Sequence, residues 1–141
     1  MCMELVECTN QYWEFVRTLR IDPRVIGGFI NQSYISKNDQ KKFMKKKSKF
    51  FRICIIDKKP VGYIGLIGVN KDEITLCVDP FYHNKGIGSF MLKELTSRSS
   101  INLWSKVKLK NKSSIKLFEK NGFEKGLVKG NLIYYYFKNE K

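Results

Sequence analysis

Residues 76–89 read L-C-V-D-P-F-Y-H-N-K-G-I-G-S. An apolar strand end (Leu76, Cys77, Val78) runs into Asp79-Pro80, then a short basic loop, then two glycines that open a helix. Beyond them Ile87, Phe90, Met91 and Leu95 stand at i, i+3, i+4 and i+8, the spacing of a one-sided apolar helix face. Gly86 and Gly88 have no Cβ, so a ligand can come close to the backbone there. The first N–H groups of a helix lack internal partners and lie at the positive end of its dipole. Phosphate is the natural ligand of such an end, and Lys85 and His83 would add charge or donors. The stretch is a candidate pyrophosphate cradle; a plain strand-to-helix turn is the other reading. Two familiar phosphate motifs are excluded. A P-loop needs G-x-x-x-x-G-K-[ST], which is absent. A dinucleotide fingerprint needs a third glycine where Met91 stands and an acidic residue about twenty positions further on.

Upstream of the cradle the hydrophobic period is that of strands. Glu73–Val78 is one strand and Val61–Val69, with Gly62, Gly65 and Gly68, another. Phe50–Ile56 is a third, and Lys58-Lys59-Pro60 and Asn70-Lys71-Asp72 supply the turns. Three neighbouring strands with short connections predict an antiparallel meander. Before them, Met3–Cys8 reads as a strand. A helix capped at Thr9 or Asn10 follows, with Tyr12, Phe15, Val16 and Leu19 on one face and Pro23 as its stop. Residues 24–35 are irregular. Ser36 with Asp39 resembles a capping box for a narrow, basic helix anchored by Phe43 and Met44.

Downstream, Asn102–Lys110 alternates Val107 and Leu109 with Lys106, Lys108 and Lys110, a strand with one buried face. Asn111–Asn121 is a helix using Ile115, Leu117 and Phe118, with Gly122 placed to end it. Phe123–Lys129 and Leu132–Phe137 are strands joined by Gly130-Asn131, a hairpin signal. The order β-α-α-β-β-β-α-β-α-β-β predicts a mixed α/β architecture with one sheet.

The chain has 141 residues, which sets one domain, 1–141, as the expectation. No apolar run approaches the roughly 18 residues of a membrane span. The N-terminus, M-C-M-E-L-V-E-C, is no secretory signal, so a cytoplasmic protein is expected. With one histidine and no C-x-x-C pair, no sequence-local metal site is expected. Cys54 and Cys77 fall inside apolar strand patterns and read as core residues. The net charge of +14 attracts anions. The lysines are scattered rather than grouped and arginine is sparse, so a solvated lysine surface is favoured over nucleic-acid binding.

Two motifs together resemble the GNAT superfamily of N-acetyltransferases. H-N-K-G-I-G (His83–Gly88) is similar to that family's Q/R-x-x-G-x-G/A. N-K-S-S-I-K-L-F-E-K-N-G-F (Asn111–Phe123) is similar to its second signature, an Asn, a small residue, then L-Y-x-x-x-G-F. The resemblance covers Val61 to the C-terminus, and the element order extends it to the whole chain. It implies a GNAT-like acyl-CoA acyltransferase fold, a single mixed, mostly antiparallel sheet flanked by about four helices. It implies acetyl-CoA as co-substrate and a small-molecule amine as acceptor, and leaves a homodimer open. It also implies that the backbone of Leu76, Cys77 and Val78 pairs with the pantetheine arm. The amides of Lys85, Gly86, Ile87, Gly88 and Ser89, with His83 and Asn84 beside them, would hold the pyrophosphate. Asn111, Ser114 and Phe118 would line the arm.

The chain departs from the family pattern in two places. His83 stands for the usual Gln or Arg, either on phosphate or free in solvent. Phe118 stands where many relatives have a Tyr that protonates the departing thiolate, and Phe cannot donate. One of Tyr134, Tyr135 and Tyr136 could replace it. Glu73, at the start of the strand that carries the thioester site, is the candidate base, or else a surface charge beside a turn. Cys77 is not proposed as a nucleophile. The front segment L-R-I-D-P-R-V, followed by Y-I-S-K-N-D-Q-K-K-F-M, loosely resembles nucleotide-sugar amine acetyltransferases of bacterial surface-polysaccharide synthesis. There Arg20 and Arg24 would meet a diphosphate or simply be solvated.

Overall fold

A computed structural model describes residues 2–140. Its described strands form one seven-stranded sheet in the order β1-β2-β3-β4-β5-β7-β6. The strands are β1 (Met3–Glu7), β2 (Phe51–Ile56), β3 (Lys59–Ile67), β4 (Glu73–Val78), β5 (Leu103–Lys108), β6 (Glu124–Lys129) and β7 (Leu132–Phe137). The helices are α1 (Trp13–Arg20), α2 (Lys37–Lys47), α3 (Ile87–Arg98) and α4 (Lys112–Lys120). β2 to β4 form the expected antiparallel meander, and β1 pairs antiparallel with the other edge of β2. β5 then joins β4 in parallel, and β7 inserts between β5 and β6, antiparallel to both. This is the mixed, mostly antiparallel sheet with four helices that the sequence reading anticipated.

Alternation along β2 builds two cores at once. Cys54 and Ile56 face one side, with Ile87, Met91 and Leu92 of α3 and Phe118 of α4. Phe51, Ile53 and Ile55 face the other, with Val16 and Leu19 of α1 and Met44 of α2. Successive strand residues point to opposite faces, so an unbroken apolar run such as F-R-I-C-I-I is buried on both.

Local differences from the sequence reading have identifiable causes. The β2–β3 turn is Asp57-Lys58, both left-handed at φ 49° and 69°, and not Lys58-Lys59-Pro60. Pro60 lies inside β3, where the register slips at Cys54/Ile55; an irregular site tolerates the missing N–H. In α2 the cap forms as read, with the Ser36 hydroxyl accepting from the Asp39 amide at 3.1 Å. Phe43, expected as an anchor, is 41% exposed, and Gln40 is buried in its place. The Gln40 Nε2 donates to the carbonyl of Trp13 at 3.0 Å, joining α2 to α1. Leu109 is half out of the structure because β5 ends at Lys108 and its buried face is Leu103, Ser105 and Val107.

Gly65 has a steric reason to be glycine. A Cβ there would lie 2.5 Å from the Phe51 ring, which is itself buried and edge-on to Phe43. Gly65→Ala is expected to lose about 1–3 kcal/mol of stability, the usual cost of overpacking. Urea unfolding checks this, and an unchanged midpoint would mean that the ring can move aside.

Candidate active site

The site begins where the sheet comes apart. β4 and β5 share one registered pair, Glu73 with Trp104. The Trp104 amide donates to the carbonyl of Asp72 at 3.1 Å and its indole Nε1 to the Asp72 carboxylate at 3.0 Å. The buried Ser105 hydroxyl then donates to the carbonyl of Ile74 at 3.1 Å. Past that point no β4–β5 pairing is present among the described residues, and β5 is held from its other edge by β7. Parallel neighbours that diverge leave their facing peptide groups unpaired. A cleft of about 1290 Å³ opens there.

The alternation of main-chain direction decides which groups face the gap. The Asp79 amide bonds the carbonyl of Val61 on β3, so the peptide groups of Cys77 and Thr75 also point to β3. Those of Leu76 and Val78 point into the gap. The expectation that all three of Leu76, Cys77 and Val78 offer their backbone is corrected accordingly, since the main chain of Cys77 is used by the sheet.

The cradle is a shaped turn. Pro80–Tyr82 form one turn of 3₁₀ helix, with the Asp79 carboxylate accepting from the Phe81 amide at 3.0 Å. Asn84 and Gly86 are left-handed, φ 62° and 80°, and α3 starts at Ile87. A backbone that turns this way at Gly86 presents the first helical amides outward, toward the mouth of the gap. The two glycines differ in purpose. A Cβ on Gly86 would meet nothing within 4 Å, whereas one on Gly88 would lie 3.2 Å from Leu117 of α4. Gly86 thus provides the turn, and Gly88 provides close packing of α3 on α4.

Of the residues expected to hold a cofactor, Leu76, Cys77, Val78, His83, Asn84, Gly86, Ile87, Gly88, Ser89, Asn111, Ser114 and Phe118 all line this cleft. Lys85 does not; it is exposed outside the lining. Lys116 and Lys120 of α4 line the cleft instead. The His83 Nε2 is 3.1 Å from the carbonyl of Val78, so one ring nitrogen is already engaged with the end of β4. Asn111 caps α4, its Oδ1 accepting from the Ser114 amide and the Ser113 hydroxyl, both at 3.2 Å.

The segment 24–35 crosses the gap. The Lys108 ammonium donates to the carbonyl of Gly27 at 2.9 Å, and a Cβ on Gly28 would lie 3.3 Å from the Asn111 side-chain nitrogen. Its far end is held by Arg17, buried on α1, which donates to the carbonyl of Ile35 at 2.9 Å while pairing with Glu14. A buried arginine in an amphipathic helix is invisible to periodicity, because its partner lies eighteen residues away.

Other ionisable groups also line the cleft. Glu73 lines it with its side chain 14% exposed, 3.8 Å from the Lys106 ammonium. Burial raises its pKa above the ordinary glutamate value; Lys106 opposes this and Asp72 adds to it. Burial pushes the Cys77 thiol up to about 12, against the pull of Arg20, so it is a protonated, inert thiol. Phe118 is a hydrocarbon wall, edge-on to Phe123 and stacked on Tyr135. None of Tyr134, Tyr135 and Tyr136 lines the cleft. The Tyr135 hydroxyl donates to Glu119 at 2.8 Å, Tyr134 stacks on Trp104, and Tyr136 lies against Gly126 on the exposed edge. The tyrosines that do line it are Tyr63 and Tyr82. Arg24 forms a two-bond pair with Asp22 at 3.1 and 2.7 Å. Burial lowers the pKa of Arg20, with Tyr63 and Cys77 acting the other way.

Comparison with known proteins agrees with this arrangement. A family model described as the acetyltransferase (GNAT) domain matches residues 47–125. An uncharacterised N-acetyltransferase of Methanocaldococcus jannaschii is 29% identical over 103 residues, 62% of this chain and 45% of the relative. A ribosomal protein bS18-alanine N-acetyltransferase of Salmonella typhimurium is 35% identical over 67 residues, 43% of this chain and 45% of that protein. The matches therefore span about half the length of these curated relatives. Among solved structures, a spermidine N-acetyltransferase from Vibrio cholerae in complex with CoA and spermine superposes with a TM-score of 0.84, covering 99% of this chain and 96% of that one at 16% identity. The matched family model takes in the glycine turn and the opening sheet, and the chain belongs to the GNAT acetyltransferase family.

Proposed function

We propose that the chain is one N-acetyltransferase domain that moves an acetyl group from acetyl-CoA to a primary amine by direct attack in a ternary complex. The observation that carries this is the meeting of two backbone edges in one cleft, the gap-facing peptide groups of Leu76 with the Val78 N–H, and the first amides of α3; the Val78 carbonyl is taken by His83. The cleft fits an extended ligand with a phosphate end. Gly86 leaves its mouth open, Lys116 and Lys120 add positive charge, and Leu117 and Phe118 give an apolar wall.

The residues divide the work as follows. The amides of Ile87, Gly88 and Ser89 would hold the pyrophosphate, with charge-assisted bonds stronger than neutral ones. The gap-facing groups of Leu76 and Val78 would bond the pantetheine arm as an added strand would. Acetyl-CoA supplies an activated acyl group. An N–H of β4 would polarise its carbonyl, since a fixed donor in a water-poor gap costs no reorganisation when charge develops. Glu73 would accept the proton of the incoming ammonium, directly or through water. Its raised pKa brings it nearer neutral pH, where a general base works best. The inert thiol of Cys77 supports direct transfer over an acyl-cysteine.

The proposed acceptor is an amine on a negatively charged molecule, with an amino-sugar nucleotide as the leading member. The excess of positive charge favours it and repels polyamines, whatever the substrate of the Vibrio relative. A protein N-terminus, as the name of the Salmonella relative suggests, is the alternative acceptor. A non-catalytic acyl-CoA-binding module is the second reading, favoured by the engagement of Tyr134, Tyr135 and Tyr136 away from the cleft. Thiol release from acetyl-CoA decides between them, with a panel of 4-amino-4,6-dideoxy sugar nucleotides, a peptide with N-terminal alanine, and spermidine. Binding without release on any amine would favour the module.

Phe118→Tyr is expected to raise turnover by restoring a donor at the thiolate. Steady-state thiol release reads it. An unchanged rate would mean that thiolate departure, helped by a reference thiol pKa of about 8.5, does not limit the reaction.

A further inference from the structure

Arg20 is the last residue of α1 and lines the cleft. Its guanidinium sits over the Phe29 ring, 3.8 Å from the centroid, and its Nη2 donates to the carbonyl of Asn31. Its Nη1 is buried and has no hydrogen-bond partner among the described residues. Other cations at this end are engaged: Arg17 with Glu14, Arg24 with Asp22, Lys106 with Glu73 and Lys108 with the carbonyl of Gly27. The nearby carboxylates are engaged too, Asp22 by Arg24 and Asp79 by the Phe81 amide. Tyr63 and Cys77 beside Arg20 are kept protonated by burial and supply no negative charge.

A guanidinium placed against a cleft with no carboxylate bonded to it is a costly arrangement. It is also a prepared one. Stacking on Phe29 and the bond to Asn31 fix its plane, so little freedom is lost when a ligand oxygen arrives. Its fork geometry suits carboxylate and phosphate oxygens.

We propose that Arg20 binds an anionic oxygen of the acceptor, a carboxylate or a phosphate, and so selects amines that carry a negative charge. The proposal rests on the acetyltransferase reading for its meaning but is tested separately from it. In CoA-saturated protein, the side-chain Nε–Hε resonance of Arg20 is followed by NMR during titration with UDP and, in a second series, with N-acetylglycine. A saturable shift with one of them is expected, and which one identifies the source as phosphate or carboxylate. A resonance unmoved by both would overturn the proposal.

The matching kinetic test compares amines that differ in charge alone. The pairs are glycine with glycinamide, and a UDP-linked 4-amino-4,6-dideoxy sugar with the free sugar. A preference in kcat/KM of at least about tenfold for the anionic member is expected, from one charge-assisted hydrogen bond. Arg20→Gln should bring it close to unity, and Arg20→Lys should keep part of it. An unchanged preference in an Arg20→Gln protein with wild-type Tm would contradict the role. If that variant fails to fold, or if no amine in the pairs is acetylated, the wild-type titration decides alone. Calorimetry with acetyl-CoA reports the acetyltransferase reading by itself: loss of that binding removes the reading and leaves the Arg20 resonance as an independent measure of the anion site.

Discussion

Gly86→Asp is expected to abolish measurable acetyl-CoA binding in a protein that remains folded. The position caps α3 at φ 80° with nothing within 4 Å of a Cβ. Asp tolerates a left-handed backbone better than most residues and is a favoured helix cap, so the fold should survive. The same carboxylate would bond the amides proposed to hold the pyrophosphate and would repel its charge. Replacing two or more charge-assisted hydrogen bonds, at about 1.5–3 kcal/mol each, predicts a loss of at least about a hundredfold in affinity. Calorimetry beside circular dichroism measures both quantities. Gly88→Asp should lose binding too, but with lower stability, because its Cβ runs into Leu117. Equal affinity in folded Gly86→Asp would remove the cradle from the account.

The second large effect is expected at Glu73. Glu73→Gln should slow acetyl transfer by about 10²–10⁴-fold, the range of a positioned general base. Acetyl-CoA affinity should be retained, since the side chain lies at the start of β4, away from the glycine turn proposed to hold the pyrophosphate. The pH dependence carries the sign. Burial raises the Glu73 pKa, so in the wild type kcat/KM should climb with pH through that raised value as the carboxylate forms. Folding responds in the opposite sense. A carboxyl group that is harder to ionise when folded contributes its stability fully below the ordinary glutamate pKa and loses it as pH rises through the raised one. The glutamine variant should show neither slope from this residue. A variant with wild-type rate and an unaltered acid limb would show that Glu73 is a spectator beside Lys106.

What the sequence made legible was local. The G-x-G turn, the Ser36 cap, the Gly130-Asn131 hairpin and the apolar strand at Phe50–Ile56 each announce themselves within a few residues, and each took the form expected. The places where reading failed depend on partners far along the chain. The Ser105 hydroxyl that ends the β4–β5 pairing meets Ile74 from thirty-one residues away, and no pattern around Ser105 says so. Three consecutive tyrosines offered three candidate acids. Only the packing shows that Tyr135 turns to Glu119 and Tyr134 to Trp104. Lys85 looked like a phosphate ligand by adjacency, yet it is not among the residues that line the cleft. The insertion of β7 between β5 and β6 follows from which edge β5 leaves free once it parts from β4, a property of the sheet and not of either strand.

The same divergence explains why the site lies where it does. A sheet that closed between Leu76 and Val107 would satisfy its own peptide groups and offer nothing to a ligand. By holding β5 from the β7 side and stopping its pairing at Ser105, the fold keeps the gap-facing peptide groups of Leu76 and the Val78 N–H away from any β5 partner, beside a helix start. The long basic chain then surrounds this opening with lysines, and its one buried unpaired guanidinium nitrogen among the described residues belongs to Arg20.

The most direct measurement is a crystal structure of the protein with coenzyme A bound. The pyrophosphate is expected on the amides that follow Gly86 and the pantetheine arm between β4 and β5, bonded to Leu76 and Val78. Coenzyme A found at another surface, with the β4–β5 gap closed or empty, would contradict this expectation.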